Sequence, residues 1–385
     1  MSFCKKLMPF ILIISLFLSG CWDRKELNEI GLSIGVAIDP AERDNILLTV
    51  ETVVPSNIKT TGQTGGGGGG GARGKPYTTF SAVGETIFHA VRRILDYTSR
   101  KIFYGYNQVI IINEDIAREY RLNQLLDFFF RDPELRERNW VLVTPDKAAD
   151  ILNTVHPLEM LPAKAIADEI KANTFKSKTI SNDLLHVHQM IQSKGGDVAV
   201  PVVRKDKKNQ PFITGSAVFK DEKFAGYLTE IESRGVLWVL GKVRSGIVVF
   251  PWVKDDPKNK ISIEIIKVSS KIIPYFKDGK PGINVKIQQI GNIGETDVQL
   301  DLEKPGTMEK IADLEEKAIK QEVEAALKAA KKYHADVFGF GNHVHIYFPK
   351  EWKAMEDRWR DEVFPDLPVN IEVKCKINQV GLSLK

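Results

Sequence analysis

Only three cysteines occur among the 385 residues, and they offer no pair for an internal disulfide once the first twenty residues are set aside. Cys4 lies near the start, Cys21 follows Gly20, and Cys375 stands alone near the end. A chain exported with this cysteine content relies on apolar cores for its stability. A surplus of one charge is missing too. The net charge of +4 falls to +2 when Lys5 and Lys6 are removed, too near neutral to argue for nucleic acid or for polybasic membrane binding. Catalytic signatures are equally scarce. No nucleophile elbow is read in the chain and His-Glu-x-x-His does not occur. The Gly65–Gly71 run, with Gly62 before it and Gly74-Lys75-Pro76 after it, lacks the Ser or Thr and the following helix of a phosphate-cradling loop. Such a run is expected to be a mobile loop, spanning about residues 60–76.

What is present begins with a leader. Lys5 and Lys6 precede an apolar run, Leu7–Leu18, that is far shorter than the roughly 20 residues needed to span a bilayer. The run closes on Leu18-Ser19-Gly20-Cys21, which reads as a lipoprotein signal: cleavage after Gly20 and acylation of the Cys21 thiol. The alternative is an ordinary secretory signal with a cysteine nearby. Acyl chains on Cys21 would anchor the body stably, each buried methylene adding roughly 0.8 kcal/mol. Hydrophobic content of 43% and charged content of 27% describe a globular chain too long for one compact core.

Hydrophobic patterning predicts a mixed α/β (α+β) fold of three consecutive units after the signal peptide of residues 1–20. The first, residues 21–195, carries expected strands at Leu32–Ile38, Ile46–Val54, Asn107–Asn113 and Trp140–Thr144. Expected helices cover Ser81–Leu95, Glu114–Tyr120, Leu122–Phe130, Asp146–Asn153 and Ser181–Ser193. A small middle unit, 196–253, has strands at Val198–Val203, Gly215–Lys220, Phe224–Leu228 and Gly246–Trp252 around a helix at Thr229–Leu240. The last, 254–385, has long strands at Ile261–Tyr275 and Gly282–Gln289, another short strand, and a long helix at Met308–Lys332. Ile311, Leu314, Ala318, Val323, Leu327 and Ala330 form the apolar stripe of that helix. A strand at Asn342–Phe348, a helix at Lys350–Val363 and a strand at Val369–Val380 complete the pattern.

Candidate chemistry is thin. His186-x-His188 falls on a helix, where the two side chains diverge, whereas His343-x-His345 falls on an expected strand and would share a face. No third ligand is evident for either, so no metal or other cofactor is expected. Gly339-Phe340-Gly341 lacks the third glycine of a dinucleotide fingerprint and is expected to precede a strand. Glu232-Ser233-Arg234-Gly235 is a candidate buried ion pair inside an apolar helix. Cys375 alternates onto the apolar face with Val373 and Ile377, which makes it a buried strand residue. Arg131, Asp132, Glu134 and Arg136 end an aromatic helix and are candidates for a partner-facing charged knob, or for a helix stop with internal ion pairs.

Several separate motifs together resemble the Ger(x)C spore germination lipoproteins. They include Gly20-Cys21-Trp22-Asp23-Arg24-Lys25-Glu26-Leu27, the segment Lys101–Ile111, and Asp127-Phe-Phe-Phe-Arg131-Asp-Pro-Glu-Leu-Arg136. Gly215–Lys220, Gly226-Tyr-Leu, Glu232–Trp238, Asp336–Gly341 and the Trp352/Trp359 segment continue the resemblance over nearly the whole mature chain. The glycine run matches none of its motifs. The resemblance implies three mixed α/β domains and a non-enzymatic C subunit of a nutrient germinant receptor. Such a subunit sits beside membrane-spanning A and B subunits, lipid-anchored through Cys21 on the outer face of the inner spore membrane. The competing reading is a membrane-tethered lipoprotein that itself captures a small nutrient. A surface hydrolase fits least, for want of a visible nucleophile–base arrangement.

Overall fold

The computed structural model describes residues 29–58, 74–173, 175–253, 256, 258–298, 301, 302 and 304–379. Cys21 and the Gly65–Gly71 run lie outside these described residues.

The first half builds one broad sheet. Its strands are β1 (Ile30–Pro40), β2 (Ile46–Val53), β3 (Tyr77–Gly84), β4 (Lys101–Phe103), β5 (Val109–Asn113) and β6 (Trp140–Thr144). They continue with β7 (Ala199–Lys205), β8 (Pro211–Lys220) and β9 (Lys223–Leu228). The order is β3-β2-β1-β5-β6-β7-β8-β9, with β4 parallel to the start of β1. The centre, β1-β5-β6-β7, is parallel, and both flanks are antiparallel. Val109-Ile-Ile-Ile112 is apolar at every position because β5 is buried on both faces.

Helices cover both faces. On one side lie α1 (Ile87–Ile94), α2 (Glu114–Glu119) and α3 (Leu122–Arg131). On the other lie α4 (Ala148–Ile151) and α5 (Pro162–Asn173), while α6 (Leu184–Gln192) returns to the first side. Two strand carboxylates fasten α4 and α5. Asp39 accepts from the N–H groups of Ala148 (2.6 Å) and Ala149 (2.8 Å), and Glu51 accepts from that of Ala163 (3.0 Å). Each supplies the acceptor that a helix N-terminus needs from more than 100 residues away in the chain.

The second half forms a four-stranded sheet, and α7 (Glu230–Val239) leads into it. The strands β10 (Ile247–Pro251), β11 (Lys260–Lys277), β12 (Lys280–Thr296) and β13 (Val369–Gln379) lie in that order. An Asp278-Gly279 turn joins the long hairpin, and β13 closes the sheet parallel to β12. The long helix α8 (Thr307–Lys332) and then α9 (Phe340–Tyr347) and α10 (Pro349–Lys353) pack into the same core. Helices α7 and α8 approach so closely at Gly235 that a Cβ there would lie 2.2 Å from the Glu322 carbonyl oxygen. Beside this contact the Arg234 guanidinium grips both Glu322 carboxylate oxygens, and Trp238 Nε1 donates to one of them at 2.8 Å.

The structure revises several sequence expectations. The residues expected as a separate middle unit are shared out: β7–β9 extend the first sheet, while α7 and β10 join the second core. Ala217 and Phe219 of β8 point into the first core and Val218 into the second, so one strand serves both. Ser81–Gly84 belongs to β3 rather than to the helix that follows. Strand β12 runs unbroken to Thr296, in place of a shorter strand followed by another. Asn342–Tyr347 is helical, and the expected helix Lys350–Val363 breaks into α10, a 3-10 turn at Glu356–Arg358 and a π turn at Trp359–Val363. Arg234 pairs with Glu322; Glu232 instead closes a capping box with Thr229. Helix α5 and strand β4 had no counterpart in the sequence reading.

Buried Glu315 is among the groups that make stability depend on pH. Glu315 of α8 is fully buried, and the weak donor that faces its carboxylate is the Cys375 thiol. Burial pushes its pKa from 4.5 up to about 7; the Cys375 thiol pulls the other way and the Glu316 charge adds to the rise. The folded state therefore holds this proton where the unfolded chain has lost it, so stability falls as pH climbs from 4.5 to about 7. In urea titrations across that window, Glu315→Gln is expected to lessen the fall by about 3 kcal/mol, the free energy of such a shift.

Candidate functional site

Two resemblance segments, Lys101–Ile111 and Asp127–Arg136, meet at a cleft of about 820 Å³ between α1 and α3. Helix α1 starts where Thr86 Oγ1 accepts the His89 N–H (3.1 Å), and α3 starts where Gln124 Oε1 accepts that of Arg121 (3.0 Å). Helix α3 stops at Asp132-Pro133, since proline supplies no N–H for a further turn. Phe88, Val91 and Leu95 form one wall, Gln124 and Phe128 the other. The Phe88 and Phe128 rings stack 5.8 Å apart, and Tyr104 meets Phe128 edge-on at 5.8 Å.

Ions of both signs frame the mouth. Arg131 Nε lies 2.8 Å from Asp127, and Lys101 Nζ lies 3.2 Å from Glu134. The Asp127 carboxylate raises the Arg131 pKa from its ordinary value. Asp132 Oδ1 accepts the Glu134 N–H at 2.8 Å and thereby shapes the turn. Of the four residues singled out from sequence, Arg131, Asp132 and Glu134 line this cleft. Arg136 lies outside it, 5.9 Å from the centre of the Tyr106 ring. Deep in the cleft is Tyr104, whose hydroxyl is buried and has no hydrogen-bond partner. Burial raises its pKa well above the usual phenol value, and the Asp132 and Glu134 charges add to the rise, so the hydroxyl keeps its proton and remains a donor.

A second cluster sits where the chain leaves the first sheet and meets the helices of the second. Asp336 is fully buried and accepts from the N–H groups of Phe340 (3.0 Å) and Gly341 (2.7 Å) and from Trp359 Nε1 (3.1 Å). Burial pushes its pKa up to about 7 against the pull of these donors. Asp197 accepts from the Asp336 N–H (2.9 Å) and from Arg360 Nε (2.8 Å), and Arg360 also reaches the Gly196 carbonyl oxygen (3.1 Å) and Asp221 (3.2 Å). A polar hollow of about 360 Å³ lies alongside. The motif Asp336–Gly341 is thus a helix-capping device. Gly339, at φ 70°, turns the chain into α9, and the N–H groups at the helix start, the usual place for an anion, are taken by Asp336. The expectation that Gly339-Phe340-Gly341 precedes a strand is corrected accordingly.

The remaining candidates disperse. Cys21 lies outside the described residues. His343 and His345 stand two apart on α9, where side chains diverge, so the shared face expected of a strand is lost. His186 turns to Asp183, and His188 lies against the Phe130 ring at 4.5 Å. Cys375 is half-buried on β13, and burial raises its thiol pKa far above the ordinary value. Gly31-Leu32-Ser33-Ile34-Gly35 does carry the Gly-x-Ser-x-Gly spelling, which the sequence reading overlooked. It runs along β1 instead of turning into a helix, and buried Ser33 donates to Asn107 Oδ1 at 2.9 Å. The described residues contain no group of three or more His, Cys, Asp or Glu placed to hold a metal, and no helix long and apolar enough to cross a membrane. Sequence reasoning missed Tyr104, Asp197 and Arg360; the last two are joined across 163 positions and leave no local pattern.

The cluster at Arg360 is testable by itself. Arg360→Ala leaves the buried Asp197 carboxylate without its cation, and urea unfolding is expected to show a loss of about 3 kcal/mol.

Comparison with known proteins covers nearly the whole chain. A family model described as the spore germination protein N-terminal domain matches residues 23–205. A second, described as spore germination B3/GerAC like, C-terminal, matches residues 214–381. The chain is 25% identical to spore germination protein KC of Bacillus subtilis (strain 168), over 98% of this chain and 96% of that protein. It is 23% identical to spore germination protein B3 of the same organism, over 95% of each. Among solved structures, the crystal structure of the GerBC protein shares the fold, with a TM-score of 0.57 and 20% identity over 89% of this chain and 96% of that one.

Proposed function

Because this chain belongs to the GerAC-like family of spore germination proteins, we propose that it is the non-catalytic C subunit of a nutrient germinant receptor. In this reading Cys21 carries the lipid that holds the body on the outer face of the inner spore membrane, beside the membrane-spanning A and B subunits. The chain supports receptor assembly and the signalling that triggers germination. Family membership across residues 23–205 and 214–381 carries the reading.

The disposition of buried polar groups supports it. Asp39 and Glu51 hold helix starts, Glu322 joins α7 to α8, and Asp197 and Asp336 fasten the two halves of the chain. These groups are engaged in structure. The features left at the surface are those of a body that works by contact, the open cleft among them.

Replacing the anchor residue tests the reading. Cys21→Ala is expected to move the protein out of the spore membrane fraction and to blunt nutrient-triggered germination, measured by the fall in optical density. A variant that stays membrane-bound and germinates normally would contradict it.

A further inference from the structure

The interactions that hold the fold leave the cleft between α1 and α3 unfilled. Tyr104 is only 3% exposed and its buried hydroxyl reaches no partner, an arrangement that disfavours the free protein. The mouth is open: Phe88 is 51% and Leu95 40% exposed, with Tyr97 and Tyr106 also exposed nearby in sequence. A small-molecule site encloses most of its ligand. Half-exposed aromatic walls between two helices suit a segment of another protein laid along them.

The position of the cleft indicates which protein. Strand β1 begins at Ile30, which pairs with Lys101 at the cleft edge. Eight residues lie between Cys21 and Ile30, and the nine steps from one to the other, at roughly 3.3–3.6 Å each, reach at most about 32 Å. A lipid on Cys21 therefore keeps this edge of the body close to the bilayer.

The geometry points to this cleft as the docking site for an apolar, aromatic-bearing segment of a membrane-embedded receptor subunit. The segment lies along the stacked Phe88 and Phe128 rings and accepts a hydrogen bond from the Tyr104 hydroxyl through a backbone carbonyl. Its flanking charges meet the mixed-sign rim of Lys101, Asp127, Arg131 and Glu134, where the exposed Asp127–Arg131 pair exchanges partners at small cost. The proposal rests on the receptor-subunit reading above.

The test uses the full-length protein in spores of its native host, with a photo-crosslinking amino acid in place of Phe88. A control carries the same group in place of exposed Ile266 on β11 of the other sheet. Docking predicts a crosslink from position 88, and none from 266, to a multi-spanning receptor subunit identified by mass. A second arm uses Tyr104→Phe. Loss of the unpaired hydroxyl should leave the melting temperature of the free protein unchanged or higher. Co-purification of the membrane-embedded subunit should fall by about 2–10-fold, the equivalent of one hydrogen bond. Crosslinks from 266 alone, or from neither position in a protein that still needs Cys21 for germination, overturn the docking site and leave the receptor reading standing. A melting temperature raised by free L-leucine or glucose, with the rise lost in Tyr104→Phe, overturns it in favour of a small ligand. Failure of the receptor reading itself shows separately, as a harmless Cys21→Ala.

Discussion

The Arg360 guanidinium, held by the buried Asp197 carboxylate, ties the two sheets into one body. Arg360 spans Asp197, Asp221 and the Gly196 carbonyl, while Asp197 in turn accepts the N–H of Asp336, which caps α9. Removing these groups from water costs several kcal/mol per ion, and only dense hydrogen bonding offsets it. The links of Asp197 to Arg360 and to Asp336 join residues 163 and 139 positions apart, so they form only once both sheets are in place. Strand β8 adds an apolar counterpart, with Phe219 in the first core and Val218 in the second. Polar and apolar contacts together leave the expected middle unit no core of its own.

The sequence made the strongly patterned elements legible. Trp140–Thr144 was read to the residue, and the long helix to within one residue, because burial on both faces and a clear apolar stripe are local signals. The errors fall where distant residues decide. Helix α5 buries three alanines with Ile166 and Ile170, a weak contrast, and takes its N-terminal acceptor from Glu51 on β2. Val344, Ile346 and Phe348 alternate as a strand would, yet Asp336 and Gly339 set that segment into a helix. Of the cleft, sequence gave notice of the charged rim through Arg131, Asp132 and Glu134. The Tyr104 hydroxyl left no trace, since an unpaired buried group is visible only in three dimensions.

Four interior carboxylates, Asp39, Glu51, Asp197 and Asp336, are engaged in capping and clamping. The cleft lies on the edge where the described chain begins, so the same short stretch would both anchor the body and orient its open face. In the proposed role a locked body would be an advantage, because one tether would position every surface at once. A loosely joined pair of domains would need a second hold on the membrane.

The account depends on that tether, and the most direct measurement is the mass of the N-terminal peptide of the protein taken from spore membranes of its native host. The account predicts a peptide that begins at Cys21 and carries a diacylglyceryl thioether. A peptide that retains residues 1–20, or one that begins at Cys21 with an unmodified thiol, would contradict it.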